Sequence, residues 1–505
     1  MKLNYRKTIL VGMAFFLISA FWQAYDAIIP KILIDHFGLS QTVSGAIMAL
    51  DNVLALFMLP LFGSLSDKTK SRFGRRTPYI VAGTVVAAVL FMSLTFADNM
   101  QLTRLDAVNP RSETALETLY EYEYQNTLKT PDGVEYSIQE TFTKEDFAAI
   151  ETGSKEYTDY VVPARQAFAW QQTVDNPTTL VFFIALLFFV LLAMGTFRSP
   201  AVALMPDVTV RPLRSKGNAV INLCGAVGGV SVLVLGIVFG TGSVLNATMS
   251  YTTYFIIIAA IMLVALLVFM CTVREPKLVA EMHAESARLG ITEEDDNKEG
   301  DRRMSRAEFI SLLLILGSVA LWYMGYNAVT SKYSVYATQV LGLDFNTTLL
   351  IASAAAIVAY LPAGMLASRI GRRKTILIGV VLLAGAFTAA AFMRAGSPVL
   401  VMNVLFALAG IGWATINVNS YPMVVELATG SQVGKYTGYY YTASMAAQII
   451  TPVFSGVFLD NVGMTSLFPY AAIFVALAFV TMFFVRHGDS RPDAKKGLEA
   501  LDIDD

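Results

Sequence analysis

GSLSDKTKSRFGRRTP, which runs from Gly63 to Pro78, is a short basic loop between two long apolar runs. A second copy, GMLASRIGRRK, runs from Gly364 to Lys374 between two further apolar runs in the other half of the chain. Basic residues in short loops mark the cytoplasmic side of a membrane protein, and matching loops in two halves indicate internal repeats. The pair therefore predicts a multi-pass membrane protein built from two similar halves, with both loops facing the cytoplasm.

The composition excludes several classes of protein. With 505 residues, 55% of them hydrophobic and 15% charged, the chain is too apolar for a soluble domain. A formal net charge of −2 excludes a protein that binds nucleic acid through bulk electrostatics. The apolar runs are continuous and do not alternate, which favours helices over a barrel. Cys224 and Cys271 both fall in apolar runs, so they predict neither a disulfide framework nor a metal site, and no cofactor is expected.

The apolar runs predict twelve transmembrane helices, each long enough to cross about 30 Å of hydrocarbon. Their expected ranges are 8–33, 41–65, 78–97, 178–205, 216–241, 251–273, 307–339, 345–368, 374–394, 398–423, 436–459 and 465–486. The first run lacks a small-residue cleavage site, so we expect a retained helix and not a signal peptide. The basic loops share one side if both termini are cytoplasmic. The expected fold is an all-α protein of the plasma membrane, with two pseudo-symmetric bundles of six helices.

Two polar segments interrupt this pattern. Residues 98–178 carry 15 acidic against 6 basic side chains and are expected outside the cell. Their aromatic content favours a small folded cap over a disordered tether, with strand or hairpin structure at Tyr120–Tyr124 and Pro131–Gly133. The second segment joins the halves, either as a surface helix over Leu278–Gly290 or as a plain linker. The expected division is 1–97 (helices 1–3), 98–178 (extracellular insertion), 179–273 (helices 4–6), 274–306 (cytoplasmic linker), 307–486 (helices 7–12) and 487–505 (cytoplasmic tail).

The stretch from Ser66 to Pro78 resembles a loop of the major facilitator superfamily. More narrowly, this stretch and the one from Trp413 to Tyr440 are similar to the sucrose-transporter-like branch, which is related to the glycoside–pentoside–hexuronide:cation symporters. In that family the loop is a cytoplasmic latch that holds one conformation. The resemblance implies this role for Gly63, Asp67, Arg72, Gly74, Arg75 and Arg76. From the residues alone, Asp67 can accept hydrogen bonds from Arg72 or from helix N-terminal amides, and charge anchoring that merely sets topology is the alternative.

Four ionisable residues fall within the expected spans, namely Asp26, Asp51, Arg198 and Lys332. A charge at bilayer depth costs about 2.5 kcal/mol or more on insertion scales, so each is a candidate for function. Removal from water favours the protonated form of a carboxylate, which lets it load and release a proton. Asp51, nearest the midplane, is the first candidate for proton coupling and Asp26 is the second. A structural ion pair between Asp51 and Arg198 is the alternative.

The region from Asp35 to Pro78 also resembles the melibiose permeases. Those proteins carry sodium-coordinating carboxylates at two positions that are Ala55 and Leu59 here, and this departure favours protons over sodium. On helix 4, the resemblance places Arg198 where melibiose permeases have a sugar-binding aspartate. The position is therefore expected to face sugar with the opposite charge.

Sugar sites pair a flat aromatic face with amide, hydroxyl or charged groups that bridge the sugar hydroxyls. The expected substrate-binding residues are Trp22, Gln23, Arg198, Tyr323, Tyr326, Asn327, Lys332, Trp413, Asn417 and Tyr440. Tyr323 and Asn327 share a helix face because they are four residues apart, as do Trp413 and Asn417. An aromatic belt at the membrane interface is the alternative for the Trp and Tyr residues.

These features favour a secondary active transporter, expected to be a monomer, that carries a neutral sugar or glycoside together with protons. A disaccharide such as sucrose or maltose is the expected substrate. A multidrug or other small-solute proton antiporter and a receptor without transport are the alternatives. The sequence contains no G-x-x-x-x-G-K-[ST] loop, which argues against an ATP-driven pump. An enzyme is not expected, because the three histidines, His36, His283 and His487, are scattered outside the spans' interiors.

Overall fold

The computed structural model describes residues 3–210, 213–288, 305–425, 427 and 433–487. Residues 289–304 of the expected linker and 488–505 of the expected tail lie outside this part of the chain. In chain order the first half contains α1 (Tyr5–Lys31), α2 (Gln41–Met48), α3 (Leu50–Lys68), α4 (Thr77–Leu102), α5 (Ala115–Glu121), β1 (Leu128–Lys129), β2 (Glu135–Tyr136), α6 (Ile138–Thr141), α7 (Lys144–Ala148), α8 (Val162–Asp175), α9 (Thr178–Val208), α10 (Arg214–Phe239), α11 (Thr252–Thr272) and α12 (Glu275–Arg288). The second half contains α13 (Arg306–Tyr336), α14 (Phe345–Ile370), α15 (Arg372–Ala390), α16 (Val399–Val425), α17 (Val433–Val462) and α18 (Leu467–Phe483).

Local sequence signals account for several helix ends. Pro78 lies in the first turn of α4, where its missing N–H and fixed φ are tolerated. Ser305 and Glu308 form a capping box that starts α13. Gly240 ends α10 in the left-handed conformation, with φ of 63°. The breaks between spans therefore follow from the sequence, while the spans themselves follow from continuous apolar runs.

Eleven spans of the described residues are long and apolar enough to cross a membrane. Helix α14 makes a twelfth when its 45° bend between Tyr360 and Pro362 is counted within one span. The expected all-α membrane fold is therefore confirmed.

The packing of the helices repeats between the two halves. Helix α1 packs along α10 and α4 along α9, just as α13 packs along α17 and α15 along α16. The halves meet where α10 packs on α14 and where α2 packs on α17. At the second contact the backbones approach closely, since a Cβ added to Gly45 would lie 2.0 Å from the carbonyl oxygen of Pro452. Small residues thus allow the two bundles to touch.

We call the end of the bundles that carries the Gly63–Pro78 and Gly364–Lys374 loops the loop face. Helix α4 starts there, directly after Arg76, and runs 26 residues to the other end of the molecule. Residues 103–177, which separate α4 from α9, lie at that other end, which we call the insertion face. Helix α12 follows α11 at the loop face, so the helical reading of Leu278–Gly290 holds as far as Arg288, and Gly290 lies outside the described residues.

The insertion has its own hydrophobic core, separate from that of the bundles, which includes Leu105, Leu119, Phe147 and Phe168. Burial raises the pKa of the Tyr124 hydroxyl above its ordinary value, as expected for a folded interior. The hairpin expected at Pro131–Gly133 is present, because β1 and β2 pair antiparallel across this turn. The strand expected at Tyr120–Tyr124 is wrong. Helix α5 runs through Tyr120 to Glu121, and its apolar face packs into the small core.

Candidate functional site

A cavity of about 700 Å³ lies between the two halves. Helices α1, α3, α9 and α10 form one wall, and α13, α14, α16 and α17 form the other. Its volume falls in the range of roughly 300–1,000 Å³ that is usual for small-molecule sites. Among the residues that line it are the sequence candidates Trp22, Gln23, Asp26, Asp51, Arg198, Tyr326, Asn327 and Trp413. The structure thus brings together residues from five helices of both halves.

Three charged side chains occupy the wall from the first half. Asp26 on α1, Asp51 on α3 and Arg198 on α9 lie close enough to interact through their charges. The side-chain amide of Asn52 donates a 2.7 Å hydrogen bond to the Asp51 carboxylate. The Arg198 guanidinium lies over the Trp22 ring, 5.3 Å from its centroid, in a cation–π contact. Arg198 thus contacts the Trp22 ring. In the part of the chain that the structure describes, it forms no direct ion pair with Asp51.

The facing wall includes several aromatic and amide side chains. The rings of Tyr326 and Trp413 stack face to face, with centroids 3.7 Å apart and an interplanar angle of 3°. Tyr323 approaches the edge of the same Trp413 ring at 5.2 Å, so it supports the stack from outside the cavity wall. Asn327 and Gln448 face the cavity beside the stack. This wall offers flat apolar surface next to amide groups.

Three buried donors of residues that line the cavity have no partner within the part of the chain that the structure describes. They are the indole Nε1 of Trp22, on the first half, and the amide Nδ2 of Asn327 and the hydroxyl of Ser334, on the second. An unpaired buried donor costs roughly 1–3 kcal/mol, so a partner at this place is expected. All of these atoms are shielded from the open space of the cavity in this conformation.

Several residues expected to bind substrate lie elsewhere. Lys332 is buried near the insertion face, where its ammonium donates a 2.6 Å hydrogen bond to the Gln41 carbonyl oxygen. The Tyr440 hydroxyl is within 2.9 Å of the Ser420 hydroxyl, inside the second bundle. Asn417 is one turn beyond Trp413 towards the loop face and is not part of the cavity wall. Depth along a helix follows from residue count, but the rotation of the helix does not, which explains why Lys332 and Tyr440 lie away from the cavity wall.

The cavity wall also includes residues that the sequence did not single out. These are Asn52, Asn222 and Tyr360, which line the cavity together with the expected side chains. The available signal was that polar amides inside apolar spans need partners. Asn52 directly follows Asp51 in the sequence, so it was the easiest of the three to predict.

Hydrogen bonds between the halves close the cavity towards the insertion face. Asp460 on α17 accepts 2.8 Å bonds from the backbone N–H groups of Gln41 and Thr42, at the start of α2. The Gln339 side chain donates to Asp35 at 2.8 Å. Further bonds of this kind join Lys31 to Thr338, Lys332 to Gln41 and Asn346 to Thr241. The charged and polar side chains of this face thus tie the two bundles together.

The loop from Gly63 to Pro78 is held by ion pairs, but with partners that differ from those expected. Asp67 pairs with Arg76 and not with Arg72, whose guanidinium lies 4.7 Å from the centroid of the Phe73 ring. Arg75 and Arg76 both reach Asp207 at the end of α9, at 2.6 and 2.9 Å. Arg76 is the residue directly before α4, and from there its guanidinium reaches Asp67 at the end of α3.

The glycines of this loop allow close approaches. A Cβ on Gly63 would lie 2.9 Å from the Ser199 hydroxyl of α9. Gly74 has φ of 107°, and a Cβ there would lie 2.2 Å from the Glu275 carboxyl carbon. Gly74 thus requires a residue without a side chain, whereas a Cβ at Gly63 requires the Ser199 hydroxyl to move.

Glu275, which the sequence did not single out, is the anchor of this loop. Its buried carboxylate accepts hydrogen bonds from the backbone N–H groups of Arg75 at 2.7 Å, Arg76 at 3.0 Å and Thr77 at 2.8 Å, and from the Thr77 hydroxyl. A carboxylate is stabilised at this place by the unpaired amides and the dipole of the α4 N-terminus. The loop of the first half is therefore locked to the end of that half.

Comparison with known proteins decides the family. The model of the Major Facilitator Superfamily matches residues 166–361 and 347–502, and one for MFS/sugar transport proteins matches residues 10–119. The chain belongs to the Major Facilitator Superfamily. Residues 10–119 of this superfamily member thus match a sugar-transport description. No curated protein matches the sequence significantly.

Solved structures of the superfamily share the fold. The inward open xylose transporter XylE from E. coli is 15% identical, with a TM-score of 0.59 over 99% of each chain. A D-xylose-proton symporter is 14% identical, with a TM-score of 0.55 over 96% of this chain and 99% of that one. The nucleoside transporter NupG is 12% identical, with a TM-score of 0.52 over 95% and 99%. At these identities the likeness concerns the fold alone.

Proposed function

We propose that this protein is a secondary active transporter that moves a neutral sugar or glycoside together with a proton by alternating access. One observation carries the proposal. The cavity between the halves places two carboxylates and an arginine opposite a wall of aromatic and amide side chains. Membership of the superfamily and the match of residues 10–119 to sugar-transport proteins support transport of a sugar in general.

The charge balance of the cavity supports coupling to protons. Asp26, Asp51 and Arg198 carry a net charge of −1 when both acids are ionised. When one acid binds a proton, the remaining carboxylate offsets the guanidinium and the cavity becomes neutral. Enclosing a cavity without net charge in a medium of low dielectric constant costs less free energy than enclosing a charged one. The proton would therefore travel with the sugar, with Asp51 as the first candidate site and Asp26 as the second.

The groups that face the cavity support a hydroxyl-rich ligand. The side chains of Arg198, Gln23 and Gln448 line the cavity and can donate hydrogen bonds, and a sugar offers many acceptor oxygens. Tyr326 and Trp413 contribute an apolar stack beside these donors. A disaccharide such as sucrose or maltose has a size and a set of hydroxyl groups that suit this cavity. The amide groups favour it over the apolar solute of a multidrug antiporter.

The insertion face is the closed side of this state. We assign it to the outside of the plasma membrane and the loop face, with both termini, to the cytoplasm, because Lys68, Lys70, Arg72 and Arg75 cluster at the loop face. In the transport cycle the insertion face opens to take up sugar and proton, and it closes before release on the cytoplasmic side.

Uptake of radiolabelled sucrose and maltose into proteoliposomes tests the proposal. An inward proton gradient is expected to drive accumulation above the equilibrium level, and a protonophore is expected to abolish it. A sodium gradient of the same size is the matched control and is expected to have no effect. Uptake that ignores the proton gradient would refute coupling, and a panel of sugars with no uptake or binding would refute the substrate class.

A further inference from the structure

The insertion is joined firmly to the first half of the molecule. Helix α8 lies against the turn between α1 and α2, where Gly38 has φ of 67° and a Cβ would lie 2.2 Å from the Trp170 amide nitrogen. Gln166 donates a 3.1 Å hydrogen bond to the Leu39 carbonyl oxygen, and Thr173 donates a 2.9 Å bond to that of Phe37. Backbone contacts of this kind leave little freedom, so the insertion moves together with α1 and α2.

The same insertion also reaches the second half through the turn Pro131–Gly133, which we call the clamp turn. The Thr465 amide, between α17 and α18, donates a 3.2 Å hydrogen bond to the Pro131 carbonyl oxygen. Gly133 and Gly463 face each other, both with positive φ, of 83° and 118°. A Cβ on Gly463 would lie 2.6 Å from the Pro131 carbonyl oxygen. Two glycines therefore permit a direct contact between backbones.

Further contacts surround the clamp turn. The Asp132 carboxylate lies 3.7 Å from the Arg394 guanidinium, which follows α15. Gly342 of the second half adopts a left-handed backbone conformation and lies beside Gly153. A Cβ added to Gly342 would lie 3.7 Å from the Gly153 carbonyl oxygen. Arg165 brings a positive charge close to Asp35, which also binds Gln339 of the second half. The insertion thus spans the seam between the halves at the closed end of the cavity.

We propose that the insertion is a clamp that holds the insertion face shut, and that the clamp turn must leave α17 and α18 each time this face opens. The inference rests on the proposed alternating-access transport, because only such a cycle requires the face to open. It assigns a role to residues 103–177 that is independent of the cavity: they set the balance between the two conformations and do not touch the substrate.

Cross-linking tests whether the clamp turn must be released. Cysteines replace Asp132 and Arg394 in a background with Cys224→Ser and Cys271→Ser, which removes both native thiols. A short, reducible bifunctional thiol reagent is expected to stop sugar uptake, and reduction is expected to restore it. The matched control joins Glu121→Cys to Lys144→Cys, a pair 2.6 Å apart within the insertion, and is expected to transport normally. Full transport by the cross-linked Asp132–Arg394 pair would overturn the clamp.

A second measurement needs no substrate, so it stays informative if the proposed sugar is wrong. Spin labels at the exposed positions Val134 and Phe392 report the distance between the insertion and the second half. Gly463→Ala is expected to shift this distance distribution to larger values, because its methyl group meets Pro131. Gly396→Ala is the matched control, since Gly396 also has positive φ, 82°, but nothing within 4 Å of an added Cβ. Identical distributions in both variants would overturn the clamp, whereas failed uptake with a shifted distribution would count only against the proposed substrate or coupling.

Discussion

At the scale of single residues, the cavity is organised around a permanent positive charge. Arg198 cannot lose its proton, so the balance of charge depends on Asp26 and Asp51. Its place over Trp22 leaves the guanidinium donors free of a direct ion pair with Asp51 in the described chain. The structural ion pair left open by the sequence is therefore not what holds Arg198 in this conformation.

Asp51→Asn is expected to abolish accumulation driven by a proton gradient while sugar exchange persists. The amide resembles the protonated acid in shape and charge, but it cannot release a proton. Uptake and counterflow in proteoliposomes distinguish the two activities. Asp106→Asn, an exposed acid of the insertion, is the control and is expected to behave as wild type. If Asp51→Asn still accumulates sugar against a gradient, Asp26 becomes the candidate for coupling.

Arg198→Lys is expected to weaken sugar binding by about 1–3 kcal/mol, because the fork geometry is lost and a buried acceptor is left unpaired. Folding and membrane insertion are expected to be retained, since lysine keeps the charge. Calorimetric titration of the purified variant measures the effect. Unchanged binding in Arg198→Lys, together with poor expression of Arg198→Ala that Asp51→Asn restores, would contradict a sugar contact and support a structural pair.

At the scale of elements, the start of α4 joins three distant parts of the first half. Its amides bind Glu275, and its arginines bind Asp67 and Asp207. The sequence predicted a latch that includes the glycines, Asp67 and all three arginines. It named Arg72 and not Arg76 as the partner of Asp67, and it did not connect the latch to Asp207 or Glu275. Glu275 is about two hundred residues away from Thr77, and no local pattern marks two such positions as neighbours.

Glu275→Gln is expected to lower the free energy of unfolding by about 1–3 kcal/mol, because charged hydrogen bonds to the α4 amides become neutral ones. Thermal unfolding of the purified protein in detergent measures the change. Glu281→Gln on the same helix is the control. Its carboxylate is half exposed and pairs with Lys7 at the surface, so a much smaller effect than that of Glu275→Gln is expected. Equal effects of the two substitutions would contradict the role of Glu275 as an anchor.

At the scale of the whole molecule, the repeated loops and apolar runs were sufficient to predict two bundles and twelve spans. They could not predict which end is closed, because contacts between the bundles depend on helix rotation. Lys332 illustrates this. Its depth in the membrane suggested a substrate contact, but in the structure its ammonium binds the Gln41 carbonyl oxygen. The insertion was recognisable as a folded cap from its composition, but its contact with Thr465 was not.

Asp460→Ala is expected to favour the conformation that is open at the insertion face. The carboxylate accepts two backbone N–H bonds from the start of α2 and one from the Thr42 hydroxyl, and all three join the halves. In the cysteine-free background, Ser334→Cys on the cavity wall is expected to react faster with an impermeant thiol reagent added on the insertion side.

The neighbouring Asn461→Ala is the matched control, because Asn461 binds only the Val457 carbonyl oxygen of its own helix among the residues described. Equal labelling rates in the two variants would show that Asp460 does not hold this face closed.

The insertion also gives the molecule an asymmetric shape, which twelve helices without an insertion would lack. Two pseudo-symmetric bundles embedded in a detergent micelle present almost nothing by which a particle image can be oriented. Here a folded body with its own core, built from residues 103–177, stands at one end and is rigidly attached to one bundle. It breaks the approximate symmetry, marks the first half and identifies the insertion face. Electron cryomicroscopy of the protein therefore has a built-in fiducial for image alignment, and an antibody fragment directed at its acidic surface enlarges that fiducial without covering the cavity.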